Sequence, residues 1–329
     1  MTLWQKAYDL AERVPIPDGI VRLGVGALVG RTSRQLALAR RDATESFATE
    51  LERLPIAIHT DTANDQHYEL PASFFELVLG PQRKYSCCFY DEPDSTLAQA
   101  EERALALTAE HAGLSDGQTI LELGCGWGSL SLWMGRTYPR ARILAVSNSR
   151  SQRTFIEGKA RAEGLNNIEL VTADMNHFDT ERKFDRIVSV EMFEHMRNYR
   201  SLLAKVAGWL DEEGALFVHI FCHRSLMYPF ETEGEDNWMG RYFFTGGLMP
   251  SADTLLHFQE QLVLQERWLV SGTHYERTAN HWLKNQDRNA AEVAEVLAGA
   301  YGTSAAADAF VNGLMIVNAV AAILLYTLV

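Results

Sequence analysis

The sequence predicts an α/β fold: a Rossmann-like, mostly parallel sheet with helices on both faces, behind a helical N-terminal accessory region. Three observations predict it. The stretch I-L-E-L-G-C-G-W-G at 120–128 runs apolar into Leu123, alternates glycine at 124, 126 and 128, and leads into a helix-like segment. That order reads as a buried strand, a tight turn and a helix N-terminus, with glycine where the backbone turns sharply or a ligand approaches it. Strand and helix patterns then alternate, which specifies parallel strands joined by covering helices. The chain has 329 residues, 47% of them hydrophobic and 22% charged, enough for one large α/β domain with additions.

The elements follow in order. Residues 1–67 read as a helical accessory or lid region. Ile16 to Gly30 is apolar and punctuated by glycine, and Arg31 to Leu54 carries apolar residues at helical spacing. Residues 68–329 read as the main domain. Pro71 opens a short helix that Gly80-Pro81 ends, and Tyr85-Ser86-Cys87 forms an irregular flap. Thr96 caps a helix to Ala112. Strands are expected at 119–123, 142–147, 168–172, 185–190 and 214–221. Helices are expected at 129–138, 149–163, 198–210 and 251–261. A final pair of strand-like stretches lies at 262–271 and from 314 onwards. The long acidic and aromatic segment 228–250 reads as a substrate loop. The apolar end, 313–329, leaves a core helix and a membrane-contacting helix open, with the core helix favoured by its length.

Composition narrows the partners. A formal net charge of −13 opposes a nucleic-acid backbone as partner and leaves a cationic or amine substrate open. Cys87, Cys88, Cys125 and Cys222 show no metal spacing, and E-M-F-E-H lacks the second histidine that a helical zinc motif needs, so no metal is expected. Free thiols and no signal-peptide pattern predict a reducing, cytoplasmic setting. The oligomeric state stays open, a homodimer included.

G-C-G-W-G is shorter than a dinucleotide fingerprint and lacks the lysine of a phosphate loop. With Glu122 before it, the turn resembles that of class I S-adenosylmethionine (SAM) methyltransferases. The resemblance implies that Glu122 and the backbone at Gly124 and Gly126 hold the aminoacid end of SAM. A carboxylate suits its ammonium. The second strand ends without the usual ribose-binding acid, and Ser147, Asn148 and Gln152 supply neutral groups. Asp174 and Met175 are placed for the adenine, and Tyr85 and Ser86 for a flap over the cofactor.

Longer motifs sharpen this. The Y-S-C flap, S-V-E-M-F-E-H-M-R-N-Y at 189–199, F-V-H-I-F-C-H at 217–223, the run at 235–251 and H-Y-E-R-T-A-N-H-W-L at 274–283 resemble the cyclopropane fatty acid synthase superfamily. Within it they are most similar to the amine-methylating, coclaurine N-methyltransferase branch. Glu191 is one discriminator: the lipid enzymes resemble G-M-F-E-H where this chain has E-M-F-E-H. The resemblance implies SAM-dependent methyl transfer to a small aromatic or cyclic amine, with cyclopropane-type transfer to unsaturated lipid as the alternative. It assigns Glu194 and His195 to proton acceptance and amine orientation, and Glu191 is expected either to orient the ammonium substrate or to contact the cofactor. Spacing by three puts Glu191 and Glu194 on one face if they share a helical turn. Cys87, Phe89, His219, Trp238, Tyr242, Phe243 and Tyr275 complete the expected substrate pocket. In the lipid enzymes, residues matching Cys87, Glu194, His219 and Tyr275 hold a bicarbonate ion. Glu191 disfavours an anion there by like charge.

Overall fold

The structure, a computed structural model, describes residues 18–40, 42–59, 70–233, 240 and 244–301. Its centre is a five-stranded sheet: β1 (Thr119–Leu123), β2 (Arg142–Ser147), β3 (Ile168–Thr172), β4 (Phe184–Val190) and β5 (Leu210–His219). The spatial order is β3-β2-β1-β4-β5 and every pairing is parallel. Each expected strand of this sheet is present. β5 starts well before its expected residue 214, at Leu210, because its pairing with β4 jumps from Phe184↔Leu210 to Arg186↔Ala215 across an irregularity.

The helices are α1 (Asp18–Leu36), α2 (Ala43–Leu51), α3 (Ala72–Val78), α4 (Leu97–His111), α5 (Ser129–Thr137), α6 (Arg150–Glu163), α7 (Tyr199–Trp209), α8 (Gly272–Arg288) and α9 (Ala290–Tyr301). Strand alternation sends side chains to two faces. Leu121, Leu123, Leu144 and Ile187 join Tyr199, Leu202 and Val206 of α7 on one face. Ile120, Ile143 and Val188 join Leu105 of α4 and Met134 of α5 on the other. Thr96 caps α4 through a reciprocal pair with Gln99, and Ser149 caps α6.

Residues 43–58 share the sheet's core although the sequence assigns them to the accessory region. Ala48, Leu51, Ile56 and Ala57 are buried in the α7-side cluster. Asn176 brackets the Ala57 backbone through two 3.0 Å hydrogen bonds. Behind the glycine turn, α3, α8 and α9 form a cap that buries Phe74, Phe75, Trp127 and Trp282.

Two expectations are corrected. The helix expected at 251–261 is a single 3₁₀ turn, Thr254–His257, and the strand expected at 262–271 is irregular chain. Its apolar residues come in two runs of three, Leu262-Val263-Leu264 and Trp268-Leu269-Val270, which match no one-faced strand. Val263 and Leu269 are 67% and 68% exposed. No helix among the described residues is long and apolar enough to cross a membrane. The end segment 313–329 lies outside the described residues.

Candidate active site

The cavity opens at the carboxyl ends of the strands, where parallel α/β sheets bind ligands beside the point at which strand order reverses. Four of the five strands deliver a group there. Glu122 is the penultimate residue of β1, Ser147 ends β2, Asp174 lies just past β3, Glu191 follows β4, and all four line the cavity. His219 ends β5.

The glycine turn is built for close approach. Its amides at Gly124 and Cys125 both donate to the Val146 carbonyl at 3.0 Å. Gly124 has φ +81°, and a Cβ there would meet Met192 Cγ at 2.7 Å. Gly126 has φ +51°, and a Cβ there would meet open space at the cavity lining. Glu122 is 4% exposed and accepts a hydrogen bond from Ser131 Oγ. Burial pushes its pKa up to about 7, against the lowering effect of Ser131.

Besides Arg83 Nε, whose guanidinium pairs with Glu76, three buried polar atoms in the cavity-lining residues lack a hydrogen-bond partner: Gln152 Nε2, Trp127 Nε1 and Ser129 Oγ. Buried polar groups are rarely left unpaired, so these mark where a polar ligand belongs. Gln152 is oriented by Ser147, whose hydroxyl donates to Gln152 Oε1 at 2.6 Å. Asp174 accepts the Asn176 amide at 2.7 Å, a local turn contact, and still lines the cavity. Asn148 and Met175 line it too, as do Tyr85 and Ser86 from the flap. Orphaned donors, an open glycine cradle and a buried carboxylate fit the hydroxyls, aminoacid end and ammonium of SAM.

Glu191 departs from the same-face arrangement. It has φ +49°, a left-handed conformation that non-glycine residues seldom adopt. The 3₁₀ turn begins only at Phe193, so Glu191 and Glu194 do not share a helical face. The left-handed turn is held by the Glu191 amide donating to the His219 carbonyl at 2.8 Å. It aims the carboxylate at the flap: Cys87 N–H donates to Oε1 at 2.8 Å and the Tyr275 hydroxyl to Oε2 at 2.9 Å. Glu194 is 2% exposed, and its Oε2 has no partner. Burial, then the neighbouring Glu191 charge, push its pKa well up. His195 lines the cavity, and burial lowers its pKa to about 4, which leaves the ring neutral at neutral pH.

The other expected pocket residues divide. Cys87 serves through its backbone, while its thiol donates to the Cys88 carbonyl. Phe89 is corrected: its ring stacks on His274 at 4.3 Å, beneath Arg103, and does not line the cavity. Burial, then Lys84 and His111, lower the His219 pKa to about 3. Trp238, Tyr242 and Phe243 lie outside the described residues. The described aromatics beside His195 are Phe244, at 5.4 Å, with Phe230 and Phe221 packed on it at 5.0 and 5.5 Å. Sequence reading missed these, and missed Lys84, Trp127 and Ser129. Trp127 and Ser129 stand in or beside the glycine turn and were legible by position alone.

A family model described as mycolic acid cyclopropane synthetase matches residues 58–304. The chain belongs to that family. It is a SAM-dependent methyltransferase. It is 40% identical over 241 residues to an (S)-coclaurine N-methyltransferase of Thalictrum flavum subsp. glaucum, covering 73% of this chain and 67% of that one. It is 31% identical over 219 residues to the cyclopropane-fatty-acyl-phospholipid synthase of Escherichia coli strain K12, covering 66% and 54%. A coclaurine N-methyltransferase crystal structure bound to N-methylheliamine and SAH superposes with a TM-score of 0.94 at 29% identity, covering 98% of this methyltransferase and 95% of that one.

Proposed function

We propose that this methyltransferase transfers the methyl group of SAM to the nitrogen of a small aromatic or cyclic amine, as a cytoplasmic enzyme. One observation carries the choice of amine over lipid. The Cys87 amide and the Tyr275 hydroxyl, the donors that would serve an ion, are spent on the Glu191 carboxylate. A second anion beside it is opposed by like charge, whereas a protonated amine is attracted. Phe244, Phe230 and Phe221 add ring faces near His195, each worth about 0.5–2 kcal/mol to a cation over it.

SAM, when bound, supplies an electrophilic methyl on its sulfonium. The chain's residues do the rest. Glu122, Gln152 and Asp174 hold the cofactor's polar groups. The charge at Glu191 draws the amine toward the cavity, and a cation beside Glu194 favours that group's ionised form. The accepting nitrogen needs its lone pair free. His195, neutral and in the cavity wall, accepts the proton that the nitrogen gives up.

Incubation with methyl-labelled SAM, a panel of cyclic secondary amines and unsaturated phospholipid vesicles tests the reading. Label is expected in an amine. Label in lipid with none in any amine overturns it. His195→Asn should lower turnover about 100-fold. SAM affinity, measured by calorimetry, should change little, and a collapse there would reassign His195 to the cofactor.

A further inference from the structure

The flap between α3 and α4 buries a lysine to which the chemistry above gives no role. Lys84 is 2% exposed and lines the cavity. An ammonium is buried only at a cost unless it is hydrogen-bonded. Its Nζ donates to Ser86 Oγ at 2.5 Å and to the Cys87 carbonyl at 2.7 Å. Its backbone N–H donates to Glu101 Oε1 at 3.2 Å, and Glu101 also accepts the amides of Gly80 and Gln82. The flap is thus tied to α4 at one end and crossed by the ammonium at the other. Cys87, held on its carbonyl side by Lys84, turns its amide onto Glu191.

The charges around Glu191 leave Lys84 a second task. Burial favours the neutral acid at Glu191, and the Lys84 charge is the largest influence opposing it. The other titratable groups facing Glu191 are all pushed toward their uncharged forms. Tyr85, Cys87, Cys88 and Tyr275 are all pushed up by burial. Glu194 is pushed up likewise, and His195 and His219 are pushed down.

We propose that Lys84 is a positioning residue for methyl transfer: its buried ammonium fixes the Ser86–Cys87 flap and supplies the charge that lets Glu191 stand as a carboxylate between the Cys87 amide and the Tyr275 hydroxyl. The link to turnover rests on the methyl-transfer reading; the ionisation of Glu191 does not. Lys84→Gln keeps a donor and removes the charge, and Lys84→Arg keeps the charge. Infrared difference spectra of the cofactor-free protein against Glu191→Gln read the ionised carboxylate band directly as pH is varied. In Lys84→Gln the midpoint should rise by about one pH unit or more, the scale of a buried charge partner. In Lys84→Arg it should stay near the wild-type value, and the acid limb of kcat/KM should follow the midpoint in both. An unmoved midpoint in Lys84→Gln, or an equal rise in Lys84→Arg, overturns the proposal. If Lys84→Gln does not fold, Lys84→Arg decides alone: a held midpoint supports the proposal and a risen one overturns it. If no amine is methylated, the function fails while the infrared result still stands or falls by itself.

Discussion

Glu191 and Glu122 sit at the ends of adjacent strands, and their surroundings give them different work. Glu191 has both oxygens satisfied by protein donors and a left-handed backbone that fixes its aim. Glu122 has one partner, Ser131, and a burial-raised pKa of about 7. Near neutral pH it is therefore held close to half-protonated until a cation arrives. SAM brings an ammonium, which favours the carboxylate, so binding below pH 7 should release protons. Calorimetry in two buffers of different ionisation enthalpy checks this. The apparent enthalpy should depend on buffer in the wild type and much less in Glu122→Gln, and buffer-independent heats in the wild type would refute the role. The expected site residues that line the cavity mostly lie at or just after strand ends. His195 is one of them, while Glu194 fell behind the wall because the i, i+3 argument assumed a helix where the chain makes a left-handed step.

The glycine turn shows at the scale of an element how three like residues meet different demands. Gly124→Ala must displace Met192 from the core and should destabilise the fold by about 1–3 kcal/mol, seen as a lower thermal midpoint. Gly126→Ala meets nothing within 4 Å and should cost only about 1 kcal/mol for its left-handed backbone. Its methyl would stand at the cavity lining, so SAM affinity should fall more than stability does. Equal stability losses with unchanged affinity would contradict that division. Element legibility followed periodicity. The five sheet strands each carry a short apolar run and were readable within a few residues. The segment 262–271 had apolar content without alternation and formed no strand.

Across the whole molecule, the buried histidines predict a pH response of the fold. The folded-state pKa values of His195 and His219 are depressed to about 4 and about 3, below the unfolded value of about 6.5. Between those limits the unfolded chain binds more protons, so the stability these groups contribute is whole above about pH 6.5 and is lost as pH falls. Glu122 runs the other way, since its raised pKa contributes stability below its unfolded value that is lost as pH rises toward 7. Thermal melts from pH 7 to 4.5 separate the two. His219→Gln should lose less midpoint than the wild type as pH falls, and an equal loss would remove His219 from the account.

The sequence by itself determined the sheet, its parallel order of supply and the cofactor turn, because hydrophobic period and glycine punctuation are local properties. The family motifs added the reaction class. Only the tertiary structure decided which groups meet at the cavity. Cys87, Glu191 and Tyr275 are separated by 104 and 84 residues along the chain and are joined by two hydrogen bonds. Lys84 stands in the polar run Q-R-K at 82–84, and only folding buries its ammonium. Charge state in a closed site depends on burial and on neighbours distant in sequence, and neither exists before the chain has folded.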